Sequence, residues 1–414
     1  MLTRDRAHFL LLNLGHLFDH LMMLVFATVA ALALGREWGM SYGELVPYAT
    51  PGFLAFGLCA LPWGWLADRW SREGMMVVFF LGTGLAAISA GLAPGPLTLA
   101  AGLLAIGVFA AIYHPVGLAL VTLRWRNTGM RIAVNGVYGN LGVAGAALIT
   151  GWLIDTAGWR MAFILPGLVS IALGIAYLAL RREAIRGEHR AARKPARDAA
   201  PARPDPARRA ALMRIAAIVF VTAALGSLVY QSTTFALPKV FDERIGGLAA
   251  RLAAGLPEAS GAGIATVIGS LAFLVFALGS LAQLVVGALL DRAGPRTVFA
   301  TVALLQLVFF TAMPALTDGA AVLAATGFML GAFGQIPIND YMIGRLASGP
   351  WRARVFAARY VVSFTSLALA LPLIALIYDR WGFDTLFRAL ALAAAVILAA
   401  ALMLPRRLPA PAAA

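Results

Sequence analysis

Stretches of about 20 apolar residues recur along the whole chain, and each is long enough to cross a ~30 Å hydrocarbon layer as a helix. Inside lipid the backbone must satisfy its own hydrogen bonds, which leaves only helices and closed barrels. A barrel would show alternating segments of about ten residues, and that alternation is absent. Composition points the same way. Apolar residues make up 61% and charged residues 13%, against roughly 25% charged in soluble proteins. A soluble fold of 414 residues would expose large apolar patches. Cys59 is the single cysteine, so no intramolecular disulfide forms. The chain runs from Met1 into an apolar span with no small-residue cleavage site, so the first helix is expected to be retained and not removed as a signal peptide.

Spans are expected near 8–34, 45–67, 74–92, 97–123, 132–154 and 160–180, then near 212–237, 263–290, 297–315, 320–343, 355–378 and 385–404. Most basic residues fall on alternate connections: Arg4 and Arg6, Arg69 and Arg72, Arg124 to Arg131, the stretch 181–214, Arg292 and Arg296, Arg345 to Arg354, and Arg406 with Arg407. The positive-inside rule makes that side cytoplasmic. Both termini then lie inside a bacterial-type inner membrane, and the number of spans is even. The net charge of +14 is thus a topology signal and not the footprint of a nucleic-acid partner. The expected organisation is an N-terminal half, 1–181, and a C-terminal half, 212–414. Between them, 182–211 is rich in Arg, Ala and Pro without apolar periodicity, as a disordered cytoplasmic linker would be.

The halves repeat a helix-to-loop pattern. GWLADRWSR (Gly64–Arg72) follows span 2, and GALLDRAGPR (Gly287–Arg296) follows span 8. GWLIDTAGWR (Gly151–Arg160) follows span 5, and IYDRWGFDTLF (Ile377–Phe387) follows span 11. With these motifs the whole chain resembles the major facilitator superfamily, whose cytoplasmic signature is G-x-L-A-D-R-x-G-R-R. Ser71 stands where the second glycine is usual and Glu73 where a basic residue is usual. The resemblance implies an all-α integral membrane fold. It has twelve transmembrane helices in two pseudo-symmetric halves, with a small-molecule site between them near the midplane. It also implies gating roles for Gly64, Asp68, Arg69 and Arg72, for Gly287, Asp291, Arg292 and Arg296, and for Asp155 and Asp379. Asp68 would face the start of span 11 near Arg352 and Arg354, and Asp291 the start of span 5 near Arg131. In addition, HLFDH in span 1 (His16, Asp19, His20) and Tyr113-His114-Pro115 in span 4 resemble the fosmidomycin-resistance type of facilitator, with Val116 replacing its usual Glu. Span 4 has no Arg of the R-x-x-x-G-x-G type, and span 5 has no Gly-Pro pair, so two features of proton-coupled drug exporters are missing.

A charge inside the bilayer costs at least a few kcal/mol and usually marks a pathway. Asp19 sits about 16 Å into span 1, at 1.5 Å per residue. Asn13, His16, Asp19, His20 and Met23 share roughly one face. A carboxylate beside imidazoles can relay a proton because His titrates near neutrality; a neutral, hydrogen-bonded structural cluster is the alternative. No metal is expected, because H-x-x-D-H lacks the Glu of H-E-x-x-H. His114 beside Pro115 marks either a broken helix that binds substrate or a plain kink. Asn135 and Tyr138 lie among the glycines of span 5, which together with Gly269, Gly279 and Gly287 of span 8 allow close, sliding helix contacts. Asp340 in span 10 and Arg359 in span 11 are a candidate ion pair, or a gate, or a site for an anionic substrate.

No P-loop, G-x-S-x-G or dinucleotide fingerprint is present, so neither an enzyme nor a nucleotide cofactor is expected. The expected activity is secondary transport of a small organic molecule by a monomer, with protons as the coupled ion. Export of a toxic compound is placed slightly ahead of uptake of a small organic acid. A transport-dead sensor is the alternative of another class.

Overall fold

The computed structural model describes residues 3–125, 128–190, 206–346 and 350–405, and their regular structure is helical throughout. The membrane-length helices are α1 (Arg4–Trp38), α2 (Tyr42–Arg69), α3 (Arg72–Gly91), α4 (Pro96–Leu123), α5 (Thr128–Ala157) and α6 (Trp159–Gly187). They continue with α7 (Ile215–Ala254), α8 (Ile264–Ala293), α9 (Pro295–Ala315) and α10 (Asp318–Met342). The last apolar segment, Val361–Leu402, has 42 residues, twice what a bilayer needs. It is broken at Gly382, where φ is 74° and ψ is −178°, a left-handed geometry that suits glycine. The legs 361–381 and 383–402 are α11 and α12, which makes twelve spans among the described residues.

Two proline effects shape the first helices. α2 is interrupted at Cys59 and α4 at Ala111–Ile112. These points lie three to four residues before Pro62 and Pro115, whose missing N–H and bulky ring break the i→i−4 ladder there. Elsewhere helices run past their expected ends. α7 continues beyond 237 to Ala254 through Pro238, supported by Lys239 paired with Asp242 at 2.7 Å and Glu243 at 3.7 Å. The linker expected over 182–211 is also shorter than its composition suggests. The α6 helix extends to Arg190, and the α7 helix starts at Pro206. Ala, Arg and Glu are good helix formers, and proline is favoured in a first turn. Residues 191–205 lie outside the described residues.

Close contacts group the chain into two compact units, residues 1–194 with 235–274, and 195–234 with 275–414. The division falls at 194/195, within the basic stretch, and again within α7 and α8. In the first unit α1 packs on α5 and α3 on α6. The distal end of α7 joins this unit through Phe235, whose ring lies 6.3 Å from Phe26 and 6.1 Å from Phe53. α5 and α8 touch backbone to backbone. A Cβ on Gly151 would lie 2.2 Å from the Ala265 carbonyl, and one on Gly269 2.3 Å from that of Ala147, as expected of glycine faces that permit close crossings. In the second unit α9 packs between α10 and α12. Phe310 stacks on Phe328 at 4.9 Å, and Ile338, Met342, Phe299 and Ile397 are buried together.

Candidate functional site

Three helices of the first unit bring their polar groups to one place. Asp19, on α1, is fully buried. Its Oδ2 lies 3.3 Å from His114 Nε2 of α4, an ion-pair distance, although neither carboxylate oxygen has a well-aligned hydrogen bond among the described residues. His16 is held from α5. Its Nδ1 bonds the Asn135 carbonyl oxygen at 2.8 Å, and its ring stacks on Tyr113 at 4.8 Å with an 18° interplanar angle. Because a carbonyl only accepts, Nδ1 carries the proton and Nε2 presents a lone pair. That Nε2 is buried with no hydrogen-bond partner among the described residues. His20, one turn further along α1, completes the group. Ring centroids are 5.0 Å apart for His16 and His20, 5.4 Å for His16 and His114, and 5.5 Å for His20 and His114.

The shell around this cluster explains its placement. The Asn135 amide donates to Asn13 Oδ1 at 2.9 Å and to the Tyr113 hydroxyl at 2.8 Å. The hydroxyl donates to the Leu12 carbonyl at 2.8 Å. The break at Ala111–Ile112 starts a new helical stretch at Tyr113, which sets where Tyr113 and His114 enter the helix. Close approach of α5 to α1 depends on two glycines. A Cβ on Gly139 would meet the His16 ring at 2.7 Å, and one on Gly142 the Leu17 carbonyl at 2.2 Å. Such an arrangement can hold and pass a proton. It can also hold a metal ion, since the ligand atoms of His16, His20 and His114 lie within 4.8 Å of one another. The expectation of no metal weighed span 1 alone, and the third imidazole comes from α4.

Of the remaining candidates, Tyr138 lies in the first unit and Asp340 in the second. Tyr138 is half-buried one turn from Asn135, and no hydrogen bond ties it to the cluster among the described residues. Asp340 is exposed on α10. The side chain of Arg359 lies outside the described residues, so the expected pair is not addressed. The buried polar groups of α10 are instead amides in the second unit. The Gln306 amide donates to Gln335 Oε1 at 3.1 Å, and the Gln335 amide donates to the Thr222 carbonyl at 3.1 Å. Gln306 has no sequence motif around it to single it out.

The signature after span 2 is well defined. Gly64 faces Pro115, which a Cβ would meet at 3.2 Å. Asp68 accepts from Arg72 at 2.7 Å, and the Arg69 guanidinium lies 3.9 Å over the Trp65 ring. The side chains of Arg352 and Arg354 lie outside the described residues. Arg131 covers the Phe9 ring at 4.3 Å. In the second copy, a Cβ on Gly287 would meet nothing within 4 Å among the described residues. Asp291 and Arg292 are exposed, Arg296 is half-buried and Asp379 is exposed. Asp155 makes a specific contact. One carboxylate oxygen accepts from the Gly263 N–H at 2.8 Å and from the Thr266 N–H and hydroxyl at 2.7 Å each, which caps the first turn of α8.

In the sequence Glu73 stands out only as a departure from the signature. Its carboxylate is buried and binds three groups: the Arg181 guanidinium and the Tyr177 hydroxyl at 2.5 Å each, and His8 Nε2 at 3.2 Å. This ties α3 to α1 and α6 at one end of the first unit.

The Major Facilitator Superfamily model matches residues 12–272 and 252–414. A puromycin resistance protein of Streptomyces alboniger is 37% identical over 146 residues, 34% of this chain and 29% of the relative. A gallate transporter of Pseudomonas putida is 28% identical over 159 residues, 38% of this chain and 35% of the relative. These alignments span about a third of the relatives' own length. Among solved structures, a D-xylose-proton symporter superposes with a TM-score of 0.68 at 12% identity, covering 99% of both chains. An inward-facing bacterial homologue of the human lysosomal transporter Spinster gives 0.69 at 14% identity, covering 97% of this chain and 94% of that one.

Proposed function

The chain belongs to the Major Facilitator Superfamily, a family of secondary transporters and not enzymes, and from that premise we propose that it moves a small organic molecule across the inner membrane, coupled to protons. The observation that carries this reading is Asp19, a carboxylate fully buried in a membrane span with His114 at 3.3 Å. A charge is kept at such a depth at a cost of a few kcal/mol, and the site that keeps it is a pathway. The protein works as a monomer with both termini in the cytoplasm. Export is the favoured direction, supported by the puromycin resistance relative. Uptake of a small organic acid is the second reading, supported by the gallate transporter among the relatives.

A panel of candidate compounds tested for thermal stabilisation of the purified protein identifies the substrate, because a ligand of the folded state raises stability by RT ln(1 + [L]/Kd). In proteoliposomes the flux of that compound then follows an imposed pH gradient. Flux that ignores pH and follows sodium overturns the proton reading.

We further propose that Asp155 is a clamp on the extracytoplasmic side, released when that side opens. Losing a capping residue costs about 1 kcal/mol, a roughly fivefold population shift. Asp155→Ala, in a Cys59→Ser background carrying Thr28→Cys, is therefore expected to speed labelling by an impermeant maleimide about fivefold. An unchanged rate argues that the contact is held in every state.

A further inference from the structure

We propose that His16, His20 and His114 form a binding site for a borderline divalent transition-metal ion of the Zn2+ and Co2+ class, with Asp19 as the supporting carboxylate. The proposal concerns the same cluster as the coupling reading but does not depend on it, because binding is measured without transport.

Four observations converge. First, the three ligand atoms lie within 4.8 Å of one another. Nitrogens bound about 2.1 Å from a tetrahedral ion are about 3.4 Å apart, so side-chain rotations that close the gaps by up to roughly 1.4 Å complete the set. Second, His16 and His20 are four residues apart on α1 and share a face, the spacing by which a single helix presents two imidazoles to one ion. Third, the Nδ1 bond from His16 to the Asn135 carbonyl is the outer contact that metal-ligating histidines usually make, fixing the tautomer and aiming the other nitrogen. That other nitrogen, Nε2, is buried with no hydrogen-bond partner among the described residues, and Asp19 Oδ1 is likewise buried without one. Burying polar atoms without partners is costly, and a cation among them satisfies several at once. Fourth, Asp19 Oδ2 lies against His114, in the place of a fourth ligand or of the carboxylate that orients a ligating imidazole.

The donor set chooses the ion. Imidazoles with one carboxylate favour Zn2+, Co2+, Ni2+ and Cu2+ over Mg2+ and Ca2+, which prefer all-oxygen shells. An ion here also joins α1 to α4, and His114 belongs to the stretch that starts at the α4 break. His8 takes no part, being held by Glu73 and Tyr177.

The test uses the full chain without a histidine tag, stripped with chelator and titrated calorimetrically with Zn2+ alone, then with Co2+ followed by visible absorption. The expected result is one ion per chain and the intense d–d bands of four-coordinate Co2+. His114→Ala is expected to weaken binding by about 100-fold or more, and Asp19→Asn by about 10–100-fold, the range for outer partners. His114→Cys keeps binding and adds a thiolate-to-Co2+ charge-transfer band, which a merely misfolded variant does not give. No binding by the wild type, or equal affinity in the triple variant His16→Ala, His20→Ala, His114→Ala, overturns the proposal. If binding is absent while Asp19→Asn still uncouples transport, the cluster is a proton site alone and only the metal proposal falls.

Discussion

Asp19→Asn proteoliposomes accumulate no substrate against a gradient, yet exchange labelled for unlabelled substrate at close to the wild-type rate. Asparagine keeps the size of the side chain and a hydrogen-bonding oxygen but cannot ionise. Accumulation requires the carboxylate to take a proton on one side and give it up on the other, whereas exchange moves no net proton. The folded state tolerates the change, because asparagine still places a hydrogen-bonding oxygen beside His114. His16→Gln and His20→Gln are expected to move the pH dependence of transport more than its maximal rate, since both rings flank Asp19 without contributing the charge itself. Undiminished accumulation by Asp19→Asn, with an unchanged pH profile, makes the cluster structural.

The second large effect is on stability. Glu73→Gln is expected to cost about 3–5 kcal/mol, the usual loss when one partner of a buried ion pair is removed and the other charge stays behind. Arg181 is only 14% exposed and Glu73 2%, so water cannot take over the lost interaction. The measurement is the thermal midpoint and monodisperse yield in detergent. Glu73→Gln combined with Arg181→Gln is expected to recover much of the loss, because no buried charge is then stranded. A single-variant loss below about 0.5 kcal/mol, the level of an exposed pair, contradicts the role assigned to this cluster.

These two clusters differ in how far the sequence announces them. The span pattern is legible because a bilayer imposes length and apolarity on each helix separately. Even the bend between α11 and α12 lies in a visible Trp-Gly-Phe loop at Gly382. Asp19 is legible for the same reason, as a lone charge in an apolar run. Its partner His114 stands 95 positions further on, and the sequence has no rule that sets one helix's rotation against another's. The Asn135 side chain is recognisable as polar within a span, but its backbone carbonyl, the atom that orients His16, carries no sequence signal at all. Glu73 appears only as a departure from a motif, because its meaning lies in Tyr177 and Arg181 about a hundred residues away. The ends of α7 and of the linker are misjudged for another reason. Past the apolar run, helix continuation depends on propensity and local ion pairs such as Lys239 with Asp242, which hydropathy does not weigh.

The central claim is that the buried carboxylate of α1 carries the coupled proton. Lumenal pH recorded in sealed proteoliposomes, while substrate is driven across by its own gradient, tests it most directly. The wild type is expected to shift lumenal pH in proportion to substrate moved, with the shift abolished by a protonophore, and Asp19→Asn is expected to move substrate with no pH change. A pH shift of wild-type size in Asp19→Asn contradicts the account.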